Sequence, residues 1–507
     1  MIDYVRKILD ARVYDVAEQT PLEMMARLSH RLGCRVLLKR EDLQPVFSFK
    51  IRGAYNRIAR LTDAERAAGI ICASAGNHAQ GVALSAQRLG IAATIVMPVT
   101  TPAIKIDAVR YFGGKVVLHG DTFEEAHERA RALEKAEGLT FVHPYDDPEV
   151  IAGQGTIGME ILHQHPDPIE ALFVPIGGGG LAAGVASYVK FLRPETKVIG
   201  VEPADAASMK AALAAGTRVV LDRVGLFADG TAVRQVGIET FRVCRDLLDD
   251  VLVADTDEMC AAIKDIFEDA RVIAEPSGAL ALAGLKAYVA RNPMRAGPAG
   301  ALVAINSGAN MNFDRLRHVA ERAEIGEARE ILLGVTIPET PGSYRAFVDV
   351  LGARTITEFN YRYADDAAAH VFVGLNLADG AREKPAVIAE LRQRGYEVID
   401  ISADETAKLH VRYMVGGPAP ALRDEVLFRC EFPERPGGLA KFVDAMGSEW
   451  NITLFHYRNH GADYGRVLAG MHVPPADRAR FAERLRARGY PFEDETANPA
   501  YRMFLGG

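Results

Sequence analysis

From about residue 30 to residue 320, short β-branched runs alternate with longer Ala-rich segments. The Ala-rich segments place apolar residues at i, i+3 and i+4, as helices do, whereas the short runs are continuously apolar, as in parallel strands buried on both faces. This alternation predicts βαβ units around parallel sheets, in two open α/β lobes. The predicted strands are 36–38, 70–73, 93–97, 115–118, 172–176, 197–201 and 301–305, and the predicted helical segments include 78–90, 121–137, 181–192 and 255–290.

A different pattern follows residue 325, and it occurs twice. Residues 357–362 match 453–458, 338–342 match 433–437, and 404–407 match 494–497, with an offset of 90 to 96 residues throughout. Each copy predicts the order βαββαβ, which is the ferredoxin-like unit. In the first copy the predicted strands are 331–337, 355–362, 370–376 and 397–401, and the predicted helices are 342–351 and 384–394; the second copy begins near residue 426.

The composition is that of a soluble globular protein in a reducing compartment. Hydrophobic residues make up 49% and charged residues 25% of the 507 positions, and the net charge of −8 argues against a nucleic-acid binder. There is no long apolar run, so we expect no membrane span and a cytoplasmic location. The five cysteines are scattered, and they support neither a disulfide framework nor a metal site.

Lys50 is a candidate for covalent chemistry, in the segment Ser-Phe-Lys-Ile-Arg-Gly-Ala at 48–54. Ser48 is a candidate N-cap, which would place Lys50 in the first helical turn, where the helix dipole disfavours a protonated amine. With Arg40 and Arg52 nearby in sequence, this position predicts a lowered pKa and the neutral amine that a Schiff base requires. The local sequence leaves open the alternative of a solvated surface lysine.

A second motif directly follows a predicted strand and opens a helix. It comprises Ser74, Ala75, Gly76, Asn77 and His78. Small residues with exposed N–H groups at a helix N-terminus bind anions such as a carboxylate. An ordinary turn capped by Asn77 is the alternative.

The third motif is a glycine run between a predicted strand and a predicted helix. It comprises Gly177, Gly178, Gly179, Gly180 and Leu181. Four ordered glycines cost roughly 1 kcal/mol each relative to alanine, which a simple turn does not require. No Gly-Lys-Ser/Thr follows, so this is not a P-loop, and its late position argues against a dinucleotide fingerprint. We expect backbone N–H groups wrapped around a phosphate monoester.

The fourth motif, Asn-Ser-Gly-Ala-Asn at 306–310, follows the last predicted strand, and its Ser307 hydroxyl could bond a ring nitrogen or cap a turn. Together the four motifs supply an amine, a carboxylate site, a phosphate loop and a hydroxyl at strand-to-helix turns of one region. Pyridoxal 5′-phosphate (PLP) presents an aldehyde, a phosphate and a pyridine nitrogen, and its amino-acid substrate brings a carboxylate. The four motifs therefore predict PLP as the cofactor.

On these motifs and the duplicated C-terminal region, the whole chain resembles the biosynthetic threonine deaminases. The resemblance implies a tryptophan-synthase-β-like PLP catalytic region of two lobes (1–325) and two regulatory ACT-like domains of ferredoxin-like fold (326–417 and 418–507). It implies that Lys50 binds the cofactor covalently and removes the α-proton, Asn77 contacts the ring hydroxyl, the glycine loop binds the phosphate, and Ser307 faces the ring nitrogen. Ser74 to His78 would hold the substrate carboxylate. The implied reaction converts L-threonine to 2-oxobutanoate and ammonia, the first committed step of isoleucine biosynthesis.

By the same resemblance, the repeated region binds isoleucine as an inhibitor and valine as an activator, in a homotetramer. Phe359, Tyr361, Phe455 and Tyr457 occupy equivalent predicted strands of the two copies. They are candidates for lining effector pockets or the contact between the repeats, and ordinary core residues are the alternative reading.

Three other functions remain open at this point. A catabolic-type serine/threonine dehydratase with a non-isoleucine effector shares the catalytic motifs but lacks the double repeat. A cysteine-synthase or threonine-synthase activity shares the fold and the lysine but needs a second nucleophile. A non-catalytic amino-acid sensor is opposed by the intact Lys50 and glycine loop, and racemisation is not expected because position 75 is Ala, where related racemases have Ser.

Overall fold

The computed structural model divides into two compact units, Met1–Gly326 and Glu327–Gly507. The repeat residues at 341 and 434–437 lie outside the described part of the chain. Among the described helices, none is both long and apolar enough to cross a bilayer. The described residues are 3–292, 300–340, 342–352, 354–363, 368–414, 416–417, 419, 422–433, 438–446, 449–458, 464–487, 492–499, 501 and 505.

Two sheets form the framework of the first unit. Their strands are β1 (Leu22–Met24), β2 (Val36–Arg40), β3 (Ile70–Ala73), β4 (Ala93–Met97), β5 (Lys115–Leu118), β6 (Thr140–Phe141), β7 (Ile169–Pro175), β8 (Lys197–Pro203), β9 (Asp250–Ala254) and β10 (Ala301–Asn306). The four-stranded sheet has the order β5-β4-β3-β6 and is parallel. The six-stranded sheet has the order β1-β2-β10-β7-β8-β9, in which only the edge strand β1 is antiparallel. The two predicted α/β lobes and all seven predicted strands are confirmed, while β1, β6 and β9 were missed.

Helices cover these sheets and lead away from the strand ends. They are α1 (Tyr4–Leu9), α2 (Ala26–Leu32), α3 (Lys50–Ile58), α4 (Asp63–Ala68), α5 (Asn77–Leu89), α6 (Ala103–Tyr111), α7 (Phe123–Glu137), α8 (Pro148–Gln164), α9 (Gly180–Leu192), α10 (Ser208–Ala215), α11 (Ile238–Leu247), α12 (Thr256–Ala270), α13 (Pro276–Arg291) and α14 (Arg315–Gly326). The segment 255–290, predicted as one helical stretch, is two helices. Arg271 ends α12 in the left-handed conformation (φ 55°), and Pro276 starts α13, where a missing N–H is tolerated.

The second unit contains the two repeats in one antiparallel sheet. The first repeat comprises β11 (Glu330–Pro338), α15 (Ser343–Leu351), β12 (Ile356–Arg362), β13 (Ala368–Asn376), α16 (Gly380–Gln393), β14 (Glu397–Asp400) and α17 (Glu405–Leu409). The second comprises β15 (Glu425–Pro433), α18 (Gly438–Met446), β16 (Asn451–Arg458), β17 (Tyr464–His472), α19 (Arg478–Ala487) and β18 (Phe492–Asp494). The strand order is β14-β11-β13-β12-β16-β17-β15-β18, so β12 and β16 join the repeats. The predicted βαββαβ order is confirmed in both copies.

Strand register corrects one part of the repeat alignment. Asp400 is the partner of Leu333 in the first repeat, and Asp494 is the partner of Phe428 in the second, so Asp494 is equivalent to Asp400. The match of 404–407 with 494–497 was wrong, because Asp404 caps α17 whereas Asp494 ends a strand. The identical run Asp-Glu-Thr-Ala at 404–407 and 494–497 suggested the wrong match, because the sequence alone does not show the strand register.

Candidate active site

Lys50 is the first residue of α3, and its Nζ donates to the carbonyl of Pro144 at 2.9 Å. Burial lowers the pKa of its amine to about 8, and the Glu275 carboxylate acts in the opposite direction. The predicted lowering is therefore confirmed, but its main cause is desolvation. The predicted Ser48 cap was wrong: Phe49 is the N-cap residue, because Ser48 forms a β-bridge with Gly308.

The two arginines near Lys50 in sequence are paired with carboxylates, and Arg40 bonds Asp42 at 2.8 Å. Arg52 bonds Glu41 at 2.7 Å and Glu160 at 2.5 Å, and Lys39 bonds the second oxygen of Glu160 at 2.6 Å. All four side chains are buried. Breaking one member of such a network leaves an uncompensated buried charge, so the network anchors α3, and with it Lys50, against the body of the lobe.

Asn77 is held by two polar partners that sequence reasoning did not assign. Its amide donates to Glu275 Oε1 at 2.5 Å, and its oxygen accepts from Asn310 at 2.8 Å. Asn310 also donates to the Val46 carbonyl at 2.8 Å. Asn77 is the first residue of α5, and Gly76 is its N-cap. The side chain of Asn77 therefore projects into the cleft instead of capping the helix.

Glu275 is a buried carboxyl that lies beside Lys50. It follows the break between α12 and α13, and burial raises its pKa to about 7. A Cβ added at Gly308 would lie 2.7 Å from its Oε1, so the turn after β10 also packs directly on this carboxyl. Glu275 thus connects the second and fourth motifs.

The turn from Ser74 to Asn77 is partly exposed, and its last motif residue, His78, is buried. The Gly76 N–H donates to Ser74 Oγ at 3.3 Å. His78 Nε2 lies 2.9 Å from the Val142 carbonyl, and burial lowers the pKa of the imidazole to about 3. His78 is therefore neutral at physiological pH, and its ring fixes the turn rather than supplying a cation.

The glycine loop leads directly into α9, with Gly179 as N-cap. A Cβ at Gly178 would lie 2.2 Å from the Tyr145 ring, one at Gly180 would lie 2.9 Å from the Tyr145 carbonyl, and Gly179 has φ 96°. The packing of Tyr145 thus explains much of the glycine run, which the sequence argument had attributed to a phosphate alone. The first N–H groups of α9 nevertheless have no intrahelical acceptors, and together with the helix dipole they suit an anion.

Ser307 is buried directly behind the start of α3. Its hydroxyl donates to the Ser277 carbonyl at 3.2 Å, and its own carbonyl accepts from the Phe49 N–H at 3.2 Å. Ser277 Oγ lies 3.1 Å from Thr231 Oγ1, and a Cβ at Gly177 would lie 3.0 Å from the Thr231 Cα. A chain of contacts therefore runs from Ser307 to the glycine loop.

The four motifs meet in one cleft of the first unit. Tyr145, which packs on the glycine loop, is adjacent in sequence to Pro144, the acceptor of the Lys50 amine. A Cβ added at Gly81 would lie 3.2 Å from the Lys50 carbonyl, so α5 packs closely on α3. The amine, the amide and carboxyl pair, the hydroxyl and the helix N-terminus thus lie close together, linked by direct contacts or by neighbouring residues.

These residues fit PLP. The Lys50 amine makes one hydrogen bond to protein, to Pro144 O, so it retains donor and acceptor capacity once deprotonated. In the described part of the chain, the buried Ser48 Oγ and His78 Nδ1 have no hydrogen-bond partner. The helix N-terminus at the glycine loop suits the phosphate, and the Ser307 hydroxyl is a hydrogen-bonding group of the kind a ring nitrogen can pair with.

The four regulatory candidates lie in the shared core of the repeats. Phe359 stands opposite Tyr457, and Tyr361 stands opposite Phe455, across the β12–β16 pairing. All four are buried, the Phe359 and Phe455 ring centroids are 5.9 Å apart, and the Tyr361 hydroxyl bonds Glu339. The structure therefore places them at the contact between the repeats.

Glu275, Asn310 and Tyr145 are the site residues that sequence reasoning missed. Glu275 lay inside an apparently continuous helical segment, and only the following Pro276 indicated a break. Asn310 belonged to a motif already chosen, but nothing local distinguished it from a turn residue. Tyr145 is far in sequence from the glycines it contacts, so no spacing rule could link them.

Comparisons with known proteins agree with this geometry. Residues 13–308 match the pyridoxal-phosphate dependent enzyme family, and residues 321–411 and 418–505 match the C-terminal regulatory domain of threonine dehydratase. The chain is 58% identical to a biosynthetic L-threonine dehydratase of Burkholderia multivorans (99% of each chain) and 54% identical to that of Escherichia coli (100% of this chain, 97% of the other).

Solved structures resemble part of the chain. A processed threonine deaminase isoform 2 from Solanum lycopersicum is 53% identical, with a TM-score of 0.62 over 64% of this chain and 88% of the other. Maize serine racemase is 33% identical, with a TM-score of 0.59 over 63% of this chain and 96% of the other. The chain belongs to the family of biosynthetic threonine dehydratases, PLP-dependent enzymes with a C-terminal regulatory domain.

Proposed function

We propose that this protein converts L-threonine to 2-oxobutanoate and ammonia with PLP as cofactor, as the first committed step of isoleucine biosynthesis. The observation that supports it best is the Lys50 amine, with a pKa lowered to about 8, in the same cleft as the glycine loop, Asn77 and Ser307. The proposed domains are a two-lobed catalytic region at 1–325 and ACT-like regulatory domains at 326–417 and 418–507.

Lys50 is the proposed general base. A pKa near 8 leaves a substantial neutral fraction at physiological pH, so Nζ can accept the substrate's α-proton. Bound PLP supplies an electron sink for the negative charge that this proton transfer leaves at the α-carbon. The β-hydroxyl then departs as water, and the proton it takes up is balanced by the α-proton that Lys50 removes. Hydrolysis of the released enamine consumes one water and frees ammonia, so no net water is gained or lost.

The remaining motifs bind and orient. The turn of Ser74, Ala75, Gly76, Asn77 and His78 is proposed to hold the substrate carboxylate, because it opens α5 with small residues and a neutral imidazole. Residues 177–181 are proposed to bind the phosphate at the N-terminus of α9. The uncharged Ser307 hydroxyl would turn from Ser277 to the ring nitrogen and leave that nitrogen without a full positive charge.

Asn77 is proposed to contact the ring hydroxyl, and Glu275 is proposed to hold it in place. The Asn77 amide is fixed on both sides, by Glu275 and by Asn310, so it is oriented before any ligand arrives. A preorganised donor stabilises a bound oxygen without the entropic cost of ordering the side chain.

The second unit is proposed to regulate the first, in a cytoplasmic homotetramer, with isoleucine inhibiting and valine opposing the inhibition. An effector can do this only if it binds one conformational state better than another, and typical coupling free energies are about 1–3 kcal/mol. The catabolic alternative is not favoured, because both copies of the regulatory domain match.

The proposal is tested by loading the purified protein with PLP and measuring 2-oxobutanoate from L-threonine, with and without isoleucine. We expect stoichiometric 2-oxobutanoate and ammonia, and lower initial rates with isoleucine. L-serine and D-threonine in the same assay define the substrate preference. Absence of 2-oxobutanoate from a PLP-loaded, folded protein would refute the catalytic proposal, and an isoleucine-independent rate would refute the regulatory one.

A further inference from the structure

Residues 226–235, which we call the crossing segment, connect the two lobes of the first unit. The segment lies between α10 and α11 of the lobe built on the six-stranded sheet, and it contains a short 3-10 helix at Asp229–Thr231. Two of its side chains reach helices of the lobe built on the four-stranded sheet. Asp229 bonds Lys105 of α6 at 2.6 Å, and Arg234 lies 3.6 Å from Glu124 of α7. The crossing segment therefore joins the lobes through pairs of opposite charges.

The crossing segment is attached to its own lobe beside the PLP site. Thr231 Oγ1 lies 3.1 Å from Ser277 Oγ, and a Cβ added at Gly230 would lie 2.9 Å from the same oxygen. Arg315 of α14 donates to the Phe227 carbonyl at 2.8 Å. Because these contacts hold the segment on one lobe, a movement between the lobes would separate the ion pairs and leave this attachment in place.

The Lys105–Asp229 pair lies close to the reacting groups. A Cβ added at Gly230 would lie 3.7 Å from Glu275 Oε1, and Glu275 in turn bonds Asn77 at 2.5 Å. Besides burial, which is the main cause of the raised pKa of Glu275, the charge of Asp229 raises this pKa and the charge of Lys105 lowers it. The pair therefore joins the two lobes next to the cleft, one residue from a direct contact with Glu275.

Exposure distinguishes this pair from the buried ion pairs that anchor α3. The side chains of Lys105 and Asp229 are 15% and 34% exposed, whereas those of Arg52 and Glu41 are 0% exposed. Breaking a buried pair leaves a charge without a partner in a low dielectric, whereas water replaces the partner of an exposed charge. The Lys105–Asp229 pair can therefore open and close again at small cost.

We propose that the Lys105–Asp229 ion pair is a reversible latch between the two lobes, which holds them together over the PLP cleft and opens when ligands enter or leave. Lys105 and Asp229 are positioning residues in this account, because they act on the arrangement of the lobes and not on the reacting atoms. The proposal rests on the proposed function only for the identity of the amino acid that the closed cleft holds.

A second ion pair of the first unit provides a matched control. Lys190 of α9 bonds Asp249 at 2.7 Å, and these side chains are 15% and 36% exposed. Asp249 also accepts from the Val198 N–H of β8, so both partners belong to the lobe of the six-stranded sheet. Loss of this pair removes the same kind of bond at the same exposure and leaves the contact between the lobes unchanged.

Access of a small nucleophile to the cofactor measures the latch without turnover. Hydroxylamine forms an oxime at the aldehyde carbon of PLP, and the visible absorbance of the PLP-loaded full-length protein follows this reaction. If the reaction requires open lobes, its rate is proportional to the open fraction. Lys105→Gln and Asp229→Asn should each accelerate it about two- to fivefold, the range for an ion pair of this exposure. Lys105→Arg, which keeps the charge, and Lys190→Gln should react at the wild-type rate.

Two comparisons separate a latch from other effects of these charges. An effect transmitted through the charge of Glu275 would change the rate in opposite directions in Lys105→Gln and Asp229→Asn, whereas a latch requires the same direction in both. The double variant should react no faster than the faster single variant, because one pair is lost only once. Opposite changes, additive accelerations, or an equal acceleration in Lys190→Gln would overturn the latch.

Hydrogen exchange of the same PLP-loaded proteins locates the opening. Backbone amides of residues 98–112 and 226–235 should exchange faster in Lys105→Gln than in wild type and at the wild-type rate in Lys190→Gln. Unchanged exchange together with unchanged cofactor access in Lys105→Gln and Asp229→Asn would refute the latch, even in a protein that forms 2-oxobutanoate normally. A protein that fails to deaminate threonine yet shows the expected pattern would refute the proposed function and leave the latch intact.

Discussion

The two units bury charge for different purposes. In the cleft of the first unit, Lys50 and Glu275 lie without a direct ion pair between them, and burial shifts their pKa values to about 8 and about 7. In the second unit, Arg362 bonds Glu425 at 2.5 Å, and Arg458 bonds Glu358 at 3.1 Å. Lys50 and Glu275 can therefore gain or lose a proton near neutral pH, whereas each charge in the second unit is compensated by its partner in an ion pair.

The position of each pair explains this difference. Arg362 and Glu358 lie on β12 of the first repeat, while Glu425 and Arg458 belong to β15 and β16 of the second, so both pairs join one repeat to the other. These ion pairs stabilise the contact between the two repeats in their shared sheet. Shifted pKa values in a cleft indicate chemistry, whereas closed pairs across a sheet indicate assembly. The following changes should separate chemistry from assembly.

The largest effect is expected from Lys50→Ala. Removal of the base should lower threonine turnover at least 10³-fold, because general-base catalysis and covalent attachment are both lost. Steady-state 2-oxobutanoate formation measures the loss, and circular dichroism checks the fold. Lys190→Ala, which removes a lysine on α9 paired with Asp249, is the control and should keep full activity. A Lys50→Ala enzyme with near wild-type turnover would exclude Lys50 as the base.

Arg362→Met should destabilise the second unit by about 3–5 kcal/mol, because it leaves the Glu425 carboxylate buried without its cation. Denaturant unfolding followed by Trp450 emission measures this change. Adding Glu425→Gln should recover part of the loss, and threonine turnover without effector should stay within twofold of wild type. If the single variant were as stable as wild type, the charge pairs would not fasten the repeats.

Glu275→Ala should lower turnover about 10- to 100-fold, because Asn77 loses its acceptor and its fixed orientation. Glu275→Gln keeps an acceptor and should restore much of the rate. Without the carboxylate that raises the pKa of Lys50, the rise of kcat with pH should begin at lower pH in Glu275→Gln than in wild type. An unchanged pH profile would show that the two groups are not coupled.

The same carboxyl gives a stability signature. The pKa of Glu275 is raised above its value in the unfolded chain. The stability that the protonated carboxyl contributes to the wild type is therefore present at low pH and is lost as pH rises through about 7. Glu275→Gln has no such loss, and its stability relative to wild type should therefore increase between pH 4 and pH 8. Denaturant midpoints at the two pH values measure this change, and a constant difference would contradict the burial of an ionisable Glu275.

The smallest effect is expected from Ser307→Ala, about two- to twelvefold in turnover, since one neutral hydrogen bond is worth about 0.5–1.5 kcal/mol. Ser307→Asp, by contrast, should protonate the ring nitrogen and increase abortive transamination relative to elimination. Absorbance of the bound cofactor after exposure to threonine monitors both variants. Equal partitioning in wild type and Ser307→Asp would argue against contact with the ring nitrogen.

Much of this architecture could be predicted from local pattern. Buried parallel strands and amphipathic helices have distinct periods, and most of the repeat recurs at a nearly constant offset, so fold class and motif positions followed. Glu275 could not be predicted, because the helix break in which it lies resembles helix in composition. The Ser48 cap failed because a long-range bridge to Gly308 determines that backbone.

Other features depend on contacts between distant segments. The glycine run was attributed to a phosphate, but Tyr145 packs against two of its members, and no sequence spacing reveals that approach. Side-chain partners across a fold are determined by tertiary packing, which one sequence without its structure does not specify.

The central claim is that four separate motifs form one PLP site around Lys50. Borohydride reduction of the PLP-loaded protein, followed by proteolysis and mass spectrometry, tests it most directly. We expect one pyridoxyl-modified peptide, with the modification on Lys50. Modification of any other lysine, or none in a protein that shows the visible absorbance of bound cofactor, would contradict the account.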